Sequence, residues 1–575
     1  MQRRFAIAVV VSLFVALVAP VASAASPGDL DVLVVDGELV IVGDTSDDRV
    51  LITELAPGEL TIEAPGSLIN GAPGPITVTG VTDGLDASLG EGNDTMDLLG
   101  VDLPGSAFVD LGDGLDSFSA ADISIEGTLK ILLGDGDVGT VVLENVITGG
   151  DLKVRGGDGA DSVEVRGGTV GHNLSITTGE NDNFVRANAV DVRGHFDLTA
   201  GDGADEVILS GCTQVGATAR ILLGDGLNQL TASGLRAGAN VKVVGGAGND
   251  SVVFTDQPGV CSMDIDGDLK VDTGAGDDSA RIEDRGAAVA NNLVWKLGDG
   301  DDTSSIVGSQ IGRWWIADAG AGVDDFTAAC LDIGRGAKVE LGAGPNTAHI
   351  EGITSGRNVK VTGGDEADDI LVGGQINDTC ESRIDGDLKV RPGDGDDVVR
   401  IVGIEEVARN LVLDGSGGDD EIVVDRTTVL RHLLVDHDGG VGSTIVTTST
   451  VERRLQVLGG TDRDLVSLED VTVGANLKIV VGDGNTSGSV QGIEIGKDFK
   501  FVGGDGDEEL LLSALDVARN AVARFGGGDD AIRIELWTVG GITILDGGDG
   551  SDTLDDDGGH NFATPPTIEN FEVLV

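Results

Sequence analysis

Tyrosine is absent from this chain of 575 residues, and all aromatic residues together make up 3% of it. A large three-dimensional core draws on aromatic bulk; a narrow core filled by Val, Leu and Ile does not need it. Basic residues are also scarce, 37 against 99 acidic ones, for a net charge of −62. So acidic a surface excludes nucleic acid and anionic membranes as natural partners and favours divalent cations. Long apolar runs are missing beyond the first residues. Nothing there approaches the ~20 apolar residues that a spanning helix needs, so no membrane span is expected. Acidity can mark disorder, but 40% hydrophobic content laid out in strict periodicity argues for a packed chain. Glycine, by contrast, is abundant, at 92 residues.

Residues 1–24 read as a secretory signal peptide. Arg3 and Arg4 form the basic region, Phe5 to Val18 the apolar stretch, and Ala22-Ser23-Ala24 the small-residue cleavage site. The expected product is a secreted, extracellular or cell-surface protein with 35 basic and 99 acidic residues. A monomer is expected. Length alone would allow three or four domains, but an internal repeat overrides that estimate.

The repeat is a Gly-x-Gly-x-Asp turn. Counting its first glycine as position one, turns start at 90, 112, 134, 157, 179 and so on to 548, giving 21 units. Of the 20 intervals, 17 are 22 or 23 residues. Position three is Gly in 18 units and position five is Asp in 14. Apolar residues stand five and three places before the turn, as Leu152/Val154 and Phe499/Phe501, and again at positions seven and nine, as Val163/Val165 and Ile532/Ile534. Period two on both sides of a turn predicts two short strands with one face inward. A third short strand is expected at Thr169-Val170 or Thr472-Val473. One such coil cannot bury its own face, whereas stacked coils can. The expected fold is all-β: a right-handed parallel β-helix (β-solenoid) of about 21 coils of 22–23 residues. At ~4.8 Å per strand it would be a rod roughly 100 Å long.

A second period overlies the first. Val170-Gly-His-Asn173, Val289-Ala-Asn-Asn292, Val407-Ala-Arg-Asn410 and Val517-Ala-Arg-Asn520 recur every 110 to 119 residues, which is five coils. Residues 25–89, with one irregular turn at Gly43-Asp-Thr-Ser-Asp-Asp48, are expected to form an N-terminal cap and first irregular coils. Residues 90–556 are the helix proper, and 557–575 a C-terminal cap, since exposed β edges invite aggregation.

The four cysteines are Cys212, Cys261, Cys330 and Cys380. The two long intervals of the repeat, 28 and 29 residues, contain Cys261 and Cys380, each in an insertion after the second strand. Two coils straight up the stack separate Cα atoms by ~9.5 Å, too far for a disulfide, but an inserted loop can close that gap. The expected pairs are Cys212–Cys261 and Cys330–Cys380, in keeping with an oxidising compartment.

Stacking also sets the turn carboxylates in columns roughly 5 Å apart. Like charges at that spacing repel by around 1 kcal/mol per pair in water, and a divalent cation between coils would relieve this; carboxylate and backbone oxygens suit Ca²⁺. Gly156-Gly-Asp-Gly-Ala-Asp-Ser-Val-Glu164 resembles the G-G-x-G-x-D-x-U-x nonapeptide of RTX, or haemolysin-type, calcium-binding repeats, as do 245–253 and 547–555. In that family the Asp and turn carbonyls hold Ca²⁺ between coils. The resemblance implies Asp161, Asp250 and Asp552 as ligands, and the same position in other turns adds Asp205, Asp278, Asp302 and Asp397. It is confined to the turns: these coils carry one motif each, and Val138, Gly442 and Thr486 replace the Asp outright. The alternative is that the Asp side chains cap their own turns.

Nine lysines stand four residues before a turn, on the outward side of the first strand: Lys130, Lys153, Lys242, Lys270, Lys338, Lys360, Lys389, Lys478 and Lys500. They either pair with nearby acids and guard against sheet aggregation, or form a track for an anionic cell-envelope or matrix polysaccharide. Paired acids such as Asp277-Asp278 and Asp301-Asp302 belong to the repeating turns, whereas a catalytic constellation occurs once. Trp314-Trp315 is an aromatic pair that sugar could stack on, but adjacent strand residues face opposite ways. The function expected is a non-catalytic structural or binding solenoid, with a polysaccharide-degrading β-helix enzyme (lyase or glycoside hydrolase) and an adhesin as alternatives.

Overall fold

In the computed structural model the described residues are 29–575, apart from 137, 258, 284–285 and 375–379; the signal-peptide stretch lies outside them. The chain is all-β among these residues and forms a parallel β-solenoid of about 22 turns. No helix among them is long and apolar enough to cross a membrane. By its contacts the chain divides into residues 1–184 and 185–575.

In the first unit each coil has three faces. Face one carries four-residue strands, Ala107–Asp110, Leu129–Leu132, Leu152–Arg155 and Leu174–Thr177, paired parallel with Ala107, Leu129, Leu152 and Leu174 in register. Face two carries five-residue strands such as Thr140–Glu144 and Ser162–Arg166. Face three carries the expected two-residue strands, Ile147–Thr148 and Thr169–Val170. The period-two pattern sets the burial: Val163 and Val165 face in, Ser162 and Glu164 face out. The first residues depart from the parallel pattern. Asp29–Val35 and Glu38–Val42 pair antiparallel, as do Arg49–Ala56 and Glu59–Glu63, before Glu38–Val42 and Arg49–Ala56 join the parallel ladders. This is where the irregular spacing of residues 25–89 comes from.

The second unit repeats the same coil. Face one runs from Phe196–Thr199 to Thr543–Asp549, in register rung after rung, with Thr472–Val473 among the short strands of face three. Residues 557–575 continue the parallel pairing: Asn561–Phe562, Thr567–Glu569 and Val573–Leu574 each lie on the strand of the coil before. The interior is Val, Leu and Ile with a few large rings, of which Trp295, Trp315 and Trp537 are fully buried.

Glycine is needed where coils touch at the turns. A Cβ on Gly298, at φ +114°, would stand 1.6 Å from the carbonyl oxygen of Gly274 one coil away. Only a residue without a side chain lets the two turns stack at strand spacing.

Both disulfides form as expected, Cys212–Cys261 with Cα atoms 6.0 Å apart and Cys330–Cys380 at 5.4 Å. Each spans an intervening coil, and each intervening corner is a glycine. A Cβ on Gly234 would meet Cys261 Sγ at 2.4 Å, and one on Gly352 would meet Cys380 Cβ at 2.7 Å. The inserted loop at Gln257–Cys261 folds back in a short antiparallel bridge and brings the sulfur down.

Candidate cation column inside the glycine-aspartate turns

The turn places its acids in two columns that face opposite ways. Position five points into the core. Asp161, Asp205, Asp250, Asp278, Asp302, Asp397 and Asp552 are all buried, none more than 3% exposed. Asp48, Asp94, Asp116, Asp324, Asp368, Asp420, Asp464, Asp530 and Glu508 occupy the same column; the turn register predicted their position but not their burial.

Most of the inward aspartates accept a backbone N–H from the equivalent turn position of the preceding coil; Asp464 instead accepts from Gly460 and Gly482. In the first unit Asp94 donates to Asp116 Oδ1 at 2.7 Å and Asp161 to Asn183 Oδ1 at 2.8 Å. In the second the chain of donors is longer: Asp250 to Asp278, Asp278 to Asp302, Asp368 to Asp397 and Asp530 to Asp552, at 2.7–2.9 Å. One carboxylate oxygen thus completes the backbone hydrogen bonding at a corner where the sheet ladder is interrupted.

The other oxygen is left over. Oδ2 of Asp94, Asp116 and Asp161 in the first unit, and of Asp278, Asp302, Asp324, Asp397, Asp420, Asp530 and Asp552 in the second, is buried without a hydrogen-bond partner among the described residues. Burial pushes the column up: Asp161, Asp302 and Asp397 to about 7, Asp250, whose Oδ2 accepts the Gly246 N–H at 3.3 Å, to about 6, and Asp278 and Asp552 above the usual range, with the donated N–H pulling the other way. The space beside Oδ2 is walled by carbonyls. A Cβ on Gly156 would lie 1.6 Å from Asp161 Oδ2 and 2.4 Å from the Thr178 carbonyl oxygen, and Gly245 has the same relation to Asp250 Oδ2 and the Thr273 oxygen, at 1.9 and 2.2 Å. The first glycine of the nonapeptide-like motif therefore vacates the space that the carboxylate fills.

Asparagine at position five solves the same problem with its own protons. Asn228 Nδ2 donates to the Gly224 carbonyl at 3.1 Å, and Asn346 Nδ2 to Gly344 at 2.7 Å. What an Asp needs there is a proton or a cation between Oδ2 and the turn oxygens. The donor set, one hard carboxylate oxygen per rung plus backbone carbonyls, fits Ca²⁺. Among the described residues no group of three or more His, Cys, Asp or Glu side chains converges as a metal site, so carbonyl oxygens would supply most of the ligands.

Position four points outward and runs the opposite way. Asp301 N–H donates to Asp277 Oδ1 at 3.0 Å, Val323 N–H to Asp301 at 2.8 Å, and Ser551 N–H to Asp529 at 2.9 Å. Asp277-Asp278 and Asp301-Asp302 are therefore split between solvent and core rather than brought together. Where position five of the turn is Gly442, the buried His437 lies against it: a Cβ there would meet the ring at 2.7 Å. His437 bonds Thr444 Oγ1 through Nε2 at 2.9 Å, and burial pulls it down to about 4.

Comparison of the chain with protein-family models and with curated proteins finds no match.

The recurring Val-x-x-Asn element belongs to the corner before face one. Asn292 and Asn410 each accept position from the coil before, their N–H and Nδ2 both donating to one carboxylate oxygen, of Asp268 and Asp387 respectively, at 2.8–3.1 Å. Asn520 sits likewise on Asp498, and Asn173 donates its backbone N–H to Asp151. The predicted lysines lie on the outer side of face one in short in-register runs: Lys130 on Lys153 in the first unit, and Lys242 on Lys270, Lys338 on Lys360 on Lys389, and Lys478 on Lys500 in the second. Lys153, Lys270 and Lys338 pair with Asp151, Asp268 and Glu340 at 2.7, 3.4 and 2.7 Å. The adjacent tryptophans part as strand geometry requires, Trp315 fully buried and Trp314 half-buried on the outer side.

Proposed function

We propose that the protein is an exported, non-catalytic scaffold of the cell surface or extracellular matrix, a β-solenoid stiffened by Ca²⁺ held inside its glycine-aspartate turns. The observation that carries this reading is repetition: the same buried carboxylate with an unpartnered oxygen recurs in ten of the turns, in runs of up to three successive rungs. A reaction needs one constellation of unlike groups; a column of like ones does mechanical work.

Asp161, Asp250, Asp278, Asp302, Asp397 and Asp552, with Asp205 in the same column, are the residues that would hold the cations. When bound, Ca²⁺ supplies positive charge against carboxylates stacked one rung apart. The chain's own contribution is to fix each Oδ1 by a backbone N–H and to keep side chains out of the space through glycine. The resemblance of three turns to RTX-type repeats supports the choice of calcium, and the two disulfides suit an oxidising compartment.

Thermal unfolding of the full chain at pH 8, with millimolar Ca²⁺ and with chelator, tests this. Binding to the native state alone raises stability by mass action, so the melting temperature should rise with Ca²⁺. An unchanged melting temperature removes the metal from the proposal.

A further inference from the structure

The corner between faces three and one carries a basic column that the repeat does not require. In the second unit its first rungs are small or neutral, Ala217, Ala239, Gly267 and Asn291. From there the same position reads Arg313, Arg335, Arg357, Gly386, Arg409, Arg431, Arg453, Ala475, Lys497 and Arg519. The residues stack through their backbones: Arg335 N–H donates to the Arg313 carbonyl at 2.9 Å, Arg431 to Arg409 and Arg453 to Arg431 at 3.1 Å, and Arg519 to Lys497 at 2.9 Å. All eight basic side chains are exposed. Arg519 has a distant partner, Asp498 at 3.9 Å. The other seven form no ion pair among the described residues, in a chain where acids outnumber bases 99 to 37. His432 and Arg454 flank the column one position on, in register. Burial and then Arg454, Arg453 and Arg431 hold the His432 imidazole below its usual range.

Beside this column lies an aromatic platform. Trp314 is the one tryptophan of four that is not fully buried. Its ring lies over Gly336, where a Cβ would meet it at 2.7 Å. It lines a cavity of about 470 Å³ together with Gly356, Arg357, Asn358, Asp385, Gly386 and Arg409. The one acid in that cavity, Asp385, is held by Arg383 at 3.2 Å. Gly386, which lines the cavity, interrupts the arginines.

We propose that this corner binds a linear acidic polysaccharide, with a pyranose ring stacked on Trp314 and the carboxylate or sulfate groups of successive sugars taken by Arg357, Arg409, Arg431 and Arg453. The inference rests on the scaffold reading above and names its partner. Arg409, Arg431 and Arg453 stand one rung, ~4.8 Å, apart and Arg357 two rungs from Arg409 across Gly386, a spacing that fits an extended chain with charges along it. The guanidinium fork suits carboxylate and sulfate. A sugar face over an indole adds a contact that charge alone does not supply. The lysine track on face one is less suited, because three of its members are already paired.

The test is a fluorescence and calorimetric titration of the full chain with polygalacturonate, chondroitin sulfate, neutral dextran and single-stranded DNA. The expected result is saturable binding of one or both acidic polysaccharides, weakened by salt, with a change in tryptophan emission that W314F removes, and no binding of dextran. The triple variant Arg409→Ser/Arg431→Ser/Arg453→Ser and, separately, Trp314→Ala should each weaken binding about tenfold or more, with the melting temperature unchanged. Absence of binding by the natural chain overturns the proposal, as does wild-type affinity in the triple variant. DNA bound as tightly as polysaccharide with no effect of Trp314→Ala would make the column a general polyanion site instead. Salt-reversible self-association that the triple variant abolishes, without polysaccharide binding, would assign the column to a second copy's acidic edge. Any of these failures alongside an intact calcium-dependent melting shift sinks the partner and leaves the scaffold standing.

Discussion

At the scale of single residues, the decisive choice is which acid of the turn faces inward. Asp302 gives Oδ1 to the backbone N–H of Asp278 and leaves Oδ2 buried without a partner. Its neighbour Asp301 meets the same spacing from outside. Since Asn228 and Asn346 already occupy this column and bond turn carbonyls, Asp302→Asn should keep the acceptor and add a donor. In chelator at pH 8 the variant should be more stable than the natural chain by about 1 kcal/mol or more, because a buried charge lacking a partner is removed; chemical denaturation measures it. The calcium-dependent gain should shrink by comparison with the natural chain. At Gly298 the demand is steric. A methyl group 1.6 Å from the Gly274 carbonyl, at φ +114°, has no room and no relaxed backbone. Gly298→Ala should cost more than about 2 kcal/mol, read from the same denaturation curves.

At the scale of elements, the coil is three strands and three corners, and each corner has its own hydrogen-bond device. The glycine-aspartate turn uses inward carboxylates. The corner before face one uses an Asp–Asn relay, as at Asp387 and Asn410. The corner after face two carries both disulfides. Cys330–Cys380 joins residues 50 apart across a glycine at position 352. Opening it with Cys330→Ser and Cys380→Ser should lower stability by about 2–4 kcal/mol, and a thiol assay on the denatured, unreduced natural protein should find no free cysteine.

At the scale of the molecule, the buried column couples folding to pH. Asp161, Asp302 and Asp397 stand at about 7 in the folded protein, against an unfolded value of 3.8, because burial disfavours their charge. The folded state therefore binds more protons than the unfolded one between those values. The stability these groups contribute is fully present below the unfolded value and is lost as pH rises through about 7. In chelator, the melting temperature should accordingly rise as pH falls from 8 to 5, and the increment from Ca²⁺ should be larger at pH 8 than at pH 5, since cation and proton satisfy the same oxygen. A melting temperature that falls steadily over that interval in chelator would contradict the burial of the column.

Periodicity alone determined the architecture. Alternating apolar residues around a turn that returns every 22 or 23 residues leave only stacked coils as a way to bury one face, so the strand positions, their parallel register and both cystine pairs were legible from spacing. Even so, the spacing of Gly-x-Gly-x-Asp says nothing about which side of the backbone its acids take. Only the folded turn, whose glycines pack against the preceding coil's carbonyls, shows position five in the core and position four at the solvent. The arginine column escaped sequence reading for a related reason: Arg409 and Arg519 fall in the recurring Val-x-x-Asn element, but the same place in it holds His172 and Asn291, so no basic pattern stands out around Arg313, Arg409 and Arg519. They become one surface because the coil places residues 22 or more apart directly on top of one another.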